Sequence, residues 1–392
     1  MKKSILFCLI FVLFFNLIFA EGSENKKQFV RGNLVEKTAV VKSVTSDEAI
    51  ELAIDAIDFS INNKKILGDD RELAALAVAG VFALPQKYFD SIGEDEKSEI
   101  TKKLLDLFKN FEDDTVRITI LNKLSVINIS NENLITEFLN EINLDDAFVS
   151  RNKDFVKTVI NTLGVMGNNT SFEILYELLN NESWSIYHSD LEQSLGTLAQ
   201  KSTQNIIDLI KNGDVQDCRR IFDLIQKNEK NSQFFKAEIA ENVLAQTIYI
   251  LGTTASDDKE IISLQLDSMR VLSENKWTRA SKTVITFFHT AVKQYESGLI
   301  SYKEFIEVIN SVTIIDPIEA VSVCSNYLVC MNQKKANGNI SESDENVVLA
   351  LISALGAIGD KTAFDSLLAV TYYNYSDKII TAARNALARL KW

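Results

Sequence analysis

The residues of this 392-residue chain that could do chemistry are few: two histidines, four cysteines and several adjacent pairs of acids. His188 and His289 are far apart in the chain, and neither has a Cys or His at ligand spacing, so a zinc site is not expected. A serine nucleophile would need one of them as its base, and no motif surrounds either. Phosphate-cradling glycine loops, a nucleophile elbow and a dinucleotide fingerprint are all missing. The acids come as Asp69-Asp70, Asp113-Asp114, Asp145-Asp146 and Asp257-Asp258. Paired carboxylates can hydrolyse glycosides. Each pair here, however, sits at or just before an expected helix start, where a carboxylate complements the helix dipole. The run Asn337-Gly338-Asn339-Ile340-Ser341 alternates oxygen ligands, but its glycine and closing acid are misplaced for a calcium loop. The sequence therefore predicts no catalytic residue, no cofactor and no metal.

Two groups of cations are the candidate partner contacts. Lys378, Arg384, Arg389 and Lys391 stand against Asp377 alone on the last helix of a chain with 41 bases and 54 acids. The helix dipole favours bases in a last turn. In a helix read over 376–391, Arg384 lies too early for that account, which leaves a small basic contact site. Trp277, Arg279 and Lys282 form a second patch, with packing of Trp277 beneath a neighbouring helix as the alternative.

The elements that must position these residues are helices. Only two prolines interrupt the chain. From Thr45 the apolar residues recur with helical period: Thr45 with Glu48 reads as a capping box, followed by Ile50, Ala53, Ile54 and Ile57 on one face. Asp69 with Glu72 opens the next helix, which stops before Pro85. Further helices are expected at about 94–109, 114–128, 131–142, 152–166, 170–180, 186–199, 203–211, 215–227, 232–251, 257–275, 277–296, 301–314, 317–333, 344–358, 360–373 and 376–391. Thr170 with Glu173 and Ser301 with Glu304 read as capping boxes. Asp316-Pro317 places an acceptor at the N-cap and proline at the first helical position.

The termini and charge bound the setting. Lys2 and Lys3, an apolar run from Ser4 to Phe19 and small Ala20 have the order of a secretory signal, with an uncleaved anchor as the alternative. Residues 21–44 read as a polar tether. Loss of residues 1–20 leaves 39 bases against 54 acids, a net charge of −15. That balance opposes nucleic-acid binding, and leaves membrane contact only to the first segment if it is retained. Cys218, Cys324 and Cys330 then remain, an odd number read as free thiols. Richness in Asn, Ile and Lys with so simple a leader points to a bacterial exported chain, in the periplasm or cell envelope.

A repeat is the strongest signal. Residues 155–199 superimpose without a gap on 347–391. Leu163-Gly164 meets Leu355-Gly356, Gly167 meets Gly359, Asn168 meets Asp360, Thr170 meets Thr362 and Phe172 meets Phe364. A helix ending near Leu355, a glycine that admits a close neighbour, a tight exit at Gly359 and a cap at Asp360 give one helix–turn–helix unit. Such a unit cannot bury its apolar face alone, so units must stack.

Leu355-Gly356-Ala357-Ile358-Gly359-Asp360-Lys361-Thr362-Ala363 resembles the helix-to-helix junction of HEAT repeats, especially the short type of bilin lyases. Ile379 through Ala382-Ala383 to Ala386-Leu387 resembles the second helix of that repeat, as does Val116-Arg117 with Leu121 and Leu124. Ile380, Val348 and His188 stand where that arginine is common, so a polar ladder between repeats is expected to be incomplete. The clear matches cover 113–200 and 344–392; over 201–340 the repeats are degenerate. The resemblance implies an all-α, right-handed α-solenoid of about eight or nine antiparallel hairpins over residues 45–392. Its concave face would bind a protein partner without catalysis. A self-assembling part of an envelope machine and a cofactor-handling enzyme like the bilin lyases stay open as alternatives.

Overall fold

The computed structural model describes residues 24–45, 48–127, 144, 148–253 and 259–391. The chain is all-α: among the described residues no strand forms, and one isolated backbone bridge pairs Asp360 with Lys391. The signal segment 1–20, the expected helix 131–142 and the acid pairs Asp145-Asp146 and Asp257-Asp258 lie outside the described residues. No described helix is long and apolar enough to cross a membrane. The contacts divide the chain into two compact units, one ending at Ser202 and one over Thr203–Trp392, where the sequence reading drew a single array from residue 45.

The first unit opens where a tether was expected. Residues 24–31 form α1, and α2 (Leu34–Ser43) follows behind a capping box between Asn33 and Glu36. Phe29, Val40 and Val41 pack with Leu52, Ala56, Leu76 and Ala79 in one cluster. Lys37 closes the arrangement. Its ammonium donates to the carbonyls of Phe29 and Val30 at the end of α1, and lies over the rings of Phe29 and Phe59. Burial lowers its pKa. The polar composition of 21–44 concealed this, because the lysine stem supplies packing that a hydropathy reading does not count.

The unit continues through α3 (Glu48–Leu67), α4 (Arg71–Ala83), α5 (Gln86–Ser91), α6 (Glu94–Asn110), α7 (Asp114–Ile127), α8 (Lys153–Met166), α9 (Asn169–Leu179) and α10 (His188–Leu198). Helices α2, α4, α7, α8 and α10 each pack on the next in that series, and α3 packs on α6. In the second unit the pattern is complete. Its helices are α11 (Thr203–Asn212), α12 (Val215–Lys227), α13 (Gln233–Thr253), α14 (Lys259–Glu274), α15 (Ser281–Glu296), α16 (Tyr302–Ile315), α17 (Pro317–Ala336), α18 (Glu342–Ile358), α19 (Phe364–Val370) and α20 (Asp377–Leu387). Here every helix packs on the one after next: α11, α13, α15, α17 and α19 in one series, α12, α14, α16, α18 and α20 in the other.

Capping explains many of the boundaries. Ser301 and Glu304 form the expected box, and Asp316 accepts from the N–H groups of Ile318 and Glu319 with Pro317 at the first position. Asp70, not Asp69, caps α4, while Asp69 pairs with Lys64 at 2.6 Å. Asp113 accepts from Thr115 and Val116 at the start of α7. The box expected at Thr170 and Glu173 belongs instead to Asn168 and Ser171, so Thr170 already lies inside α9. The amide of Asn168 reaches the third N–H ahead of it, and the helix starts there.

The internal repeat has a physical counterpart in each unit. A Cβ added to Gly164 would sit 2.6 Å from the Ser194 Cβ, and one added to Gly356 would sit 2.8 Å from the Ala386 Cβ. Both pairs are thirty residues apart and occupy matching positions, so α8 meets α10 as α18 meets α20. Leu163 and Leu355 beside them are wholly buried. The following glycines serve different needs. Gly359 adopts φ 72°, the left-handed exit. Gly167 is extended at φ −66°, and a Cβ there would lie 2.2 Å from the Leu163 carbonyl oxygen. Phe172 is fully buried, whereas Phe364 is only half-buried. Asp360 takes the cap role, accepting from both the N–H and the hydroxyl of Thr362.

Candidate functional site

The Trp277 patch is built by the exit from α14. Lys276 takes φ 49° in the left-handed region, and the Trp277 N–H returns to the Leu272 carbonyl at 2.9 Å. The indole turns onto α13, where Phe234, Glu238 and Glu241 share one helical face at i, i+4 and i+7. Trp277 Nε1 donates to the Glu241 carboxylate at 2.6 Å, and its ring meets the edge of Phe234 at 4.6 Å between centroids. The Arg279 guanidinium lies 5.2 Å from the Trp277 ring centre and 5.8 Å from that of Phe234. Its carboxylate partner is Glu238, at 3.9 Å. Trp277 is 7% exposed and Phe234 57%. The tryptophan is therefore a packed residue, as the alternative reading had it, and the open members are Phe234 and Arg279. Lys282 is exposed and makes no ion pair with a described residue.

The second basic group is differently placed. Lys378, Arg384, Arg389 and Lys391 are all exposed, and none pairs with a described acid. Helix α20 ends at Leu387, so Arg384 lies in its last turn and the dipole accounts for it. In this shorter helix Arg384 no longer lies too early for the dipole to account for it. Arg389 and Lys391 follow the helix, and the Lys391 N–H donates to the Gly359 carbonyl at 2.8 Å, stitching the chain back to the α18 exit.

Elsewhere the chain makes polar connections that sequence reasoning missed. Arg219 of α12 reaches Asp267 of α14 at 2.9 Å and the Ser263 hydroxyl at 3.2 Å. Arg270 of α14 joins Asp267 at 2.9 Å and Glu307 of α16 at 2.9 Å. Three helices of one series are thus linked by a charged ladder, in the stretch read as degenerate. On α15, the Tyr295 hydroxyl donates to Asp344 of α18 at 2.8 Å. Burial acts to raise the Asp344 pKa, but the Ser341 N–H and hydroxyl, the Tyr295 hydroxyl and nearby Lys334 outweigh it and hold the carboxyl below its usual range. In the first unit, Arg117 Nε donates to the Phe111 carbonyl at 2.7 Å and lies over the Phe108 ring, so the arginine singled out beside Val116 ties α7 to the end of α6.

Among the described residues no three His, Cys, Asp or Glu side chains gather as a metal-binding group. His188 is half-buried at the start of α10, and exposed His289 meets Phe288 edge-on. Cys218 and Cys324 are buried, and burial pushes both thiols up to about 12; Cys330 is exposed. No protein-family model matches the chain, and no curated protein matches it.

Proposed function

We propose that this chain is a non-enzymatic protein-binding scaffold, built as a HEAT-like right-handed α-solenoid and exported to the periplasm or cell envelope. The observation that carries the reading is the packing of each helix on the one after next, with the Gly164–Ser194 contact repeated at Gly356–Ala386. Repeats packed in this way place successive helices side by side and offer a broad surface to a protein or peptide. The excess of acids favours partners with basic segments and raises their encounter rate. The leader-like order of residues 1–20 supports export. No reaction is assigned to the chain.

The test is crosslinking in the native envelope followed by capture of the tagged chain. The expected result is a small set of proteins retained in stoichiometric amounts, together with an N-terminus that begins after Ala20. Recovery of the chain alone, at every crosslinker length, removes the scaffold reading. Growth in sedimentation coefficient with concentration, with no other protein retained, replaces it by self-assembly.

A further inference from the structure

We infer that the α13 face bearing Phe234, Glu238 and Glu241, with Trp277 against it, is a recognition site for a basic side chain of a partner protein, and that Arg279 fills it until that partner arrives. The inference rests on the scaffold reading for the existence of a partner, and it names the surface and the chemistry that partner presents.

Two aromatic rings and one carboxylate, Glu238, lie around the Arg279 guanidinium, and such groups bind an organic cation through the ring quadrupole and through charge. Here they are held in advance. Glu241 fixes the indole through the 2.6 Å hydrogen bond, and the indole fixes Phe234 at 4.6 Å. Helical spacing sets Glu238 and Glu241 on the same side as Phe234. Binding at such a site needs little ordering of its own walls.

The resident cation is loosely held. The Arg279 side chain is 60% exposed, and its one carboxylate contact, Glu238, is at 3.9 Å, the outer limit of an ion pair. Pairs of this kind contribute little to stability. Phe234 leaves 57% of its surface open to solvent, so its ring is accessible to a partner. An arginine or lysine from another protein could therefore displace Arg279, which needs only to swing outward. The net charge of −13 brings basic segments to the chain in the first place.

The experiment uses the full chain and a fluorescently labelled tetra-arginine peptide, with tetra-glutamate as the opposite-charge control. Anisotropy reports binding, and the change in tryptophan emission, read against the same titration of Trp277→Phe because the chain also holds Trp184 and Trp392, reports whether the probe sits at this site. Arg279→Ala should tighten the arginine probe about threefold or more, the range of one exposed cation–ring contact, and shift the tryptophan emission. Adding Phe234→Ala or Glu238→Gln to that variant should abolish the gain, while Glu319→Gln on α17 should leave it. Phe234→Leu, which keeps apolar bulk without a ring, serves where the alanine variant melts early. Arg279→Ala that binds no more tightly overturns the proposal. So does a gain that survives loss of Phe234 or Glu238, because general acidity then explains it. In the envelope crosslinking, unchanged partner capture by the Phe234 and Glu238 variants removes this site and leaves the scaffold. Absent capture by the unaltered chain removes the scaffold, while the probe measurements still decide the site.

Discussion

Gly164 and Gly356 are fixed by what faces them rather than by their backbone angles. The Ala386 Cα lies 3.0 Å from where a Gly356 Cβ would be, so the obstruction includes backbone and cannot rotate away. Gly356→Ala is expected to destabilise the chain by about 1–3 kcal/mol, the ordinary cost of overfilling a packed contact. Chemical denaturation measures it, and Ala386→Gly in the same chain should recover part of the loss. Equal stability of Gly356→Ala and the unaltered protein would mean that the two helices do not touch as described. Asp344 gives a second residue-level expectation. Its folded pKa is depressed, so its contribution is present above the unfolded carboxylate value and is lost as pH falls through the folded one. The melting temperature should therefore drop as pH is lowered from about 5 toward 3, and drop less steeply in Asp344→Asn. Identical pH profiles would remove Asp344 from the account. What made such residues legible was local chemistry. Ser301 and Asp316 have their partners within three positions, and both were found. Asn168 competed with Thr170 for the same start and won by two residues, a choice that spacing alone does not make.

At the scale of helices, legibility followed the distance between the partners. Helical period and caps are written within a few turns of chain, and the elements of the second unit lie close to where the period placed them. The ladder of Arg219, Asp267, Arg270 and Glu307 was not readable, because its cross-helix contacts join residues 48 and 37 positions apart. No local pattern marks which acid an arginine will meet at that separation. The same reasoning explains the candidate site. Phe234, Glu238 and Glu241 have an evident spacing on α13, but Trp277 joins them only through the left-handed turn at Lys276. For the basic group at 378–391 the helix end, not the charge, was the hidden part. Its charges were plain, but the end of α20 at Leu387 depended on how the chain returns to Gly359.

For the molecule as a whole, burial divides the thiols. Cys218 and Cys324 are wholly enclosed, with thiols that burial keeps protonated, and Cys330 is exposed. A chain lacking residues 1–20 should thus take up one equivalent of maleimide quickly at neutral pH and two more only on unfolding, counted by intact mass. Rapid labelling of all three would contradict the packing of both α12 and α17. The opening helices bear on how the protein can be handled. A cut at residue 45, made to trim what reads as a linker, would strip Phe29, Val40 and Val41 from Leu52, Ala56, Leu76 and Ala79 and take away the Lys37 clamp. The shortened product would carry a raw greasy surface at its front, and its clumping would then be mistaken for a property of the native chain.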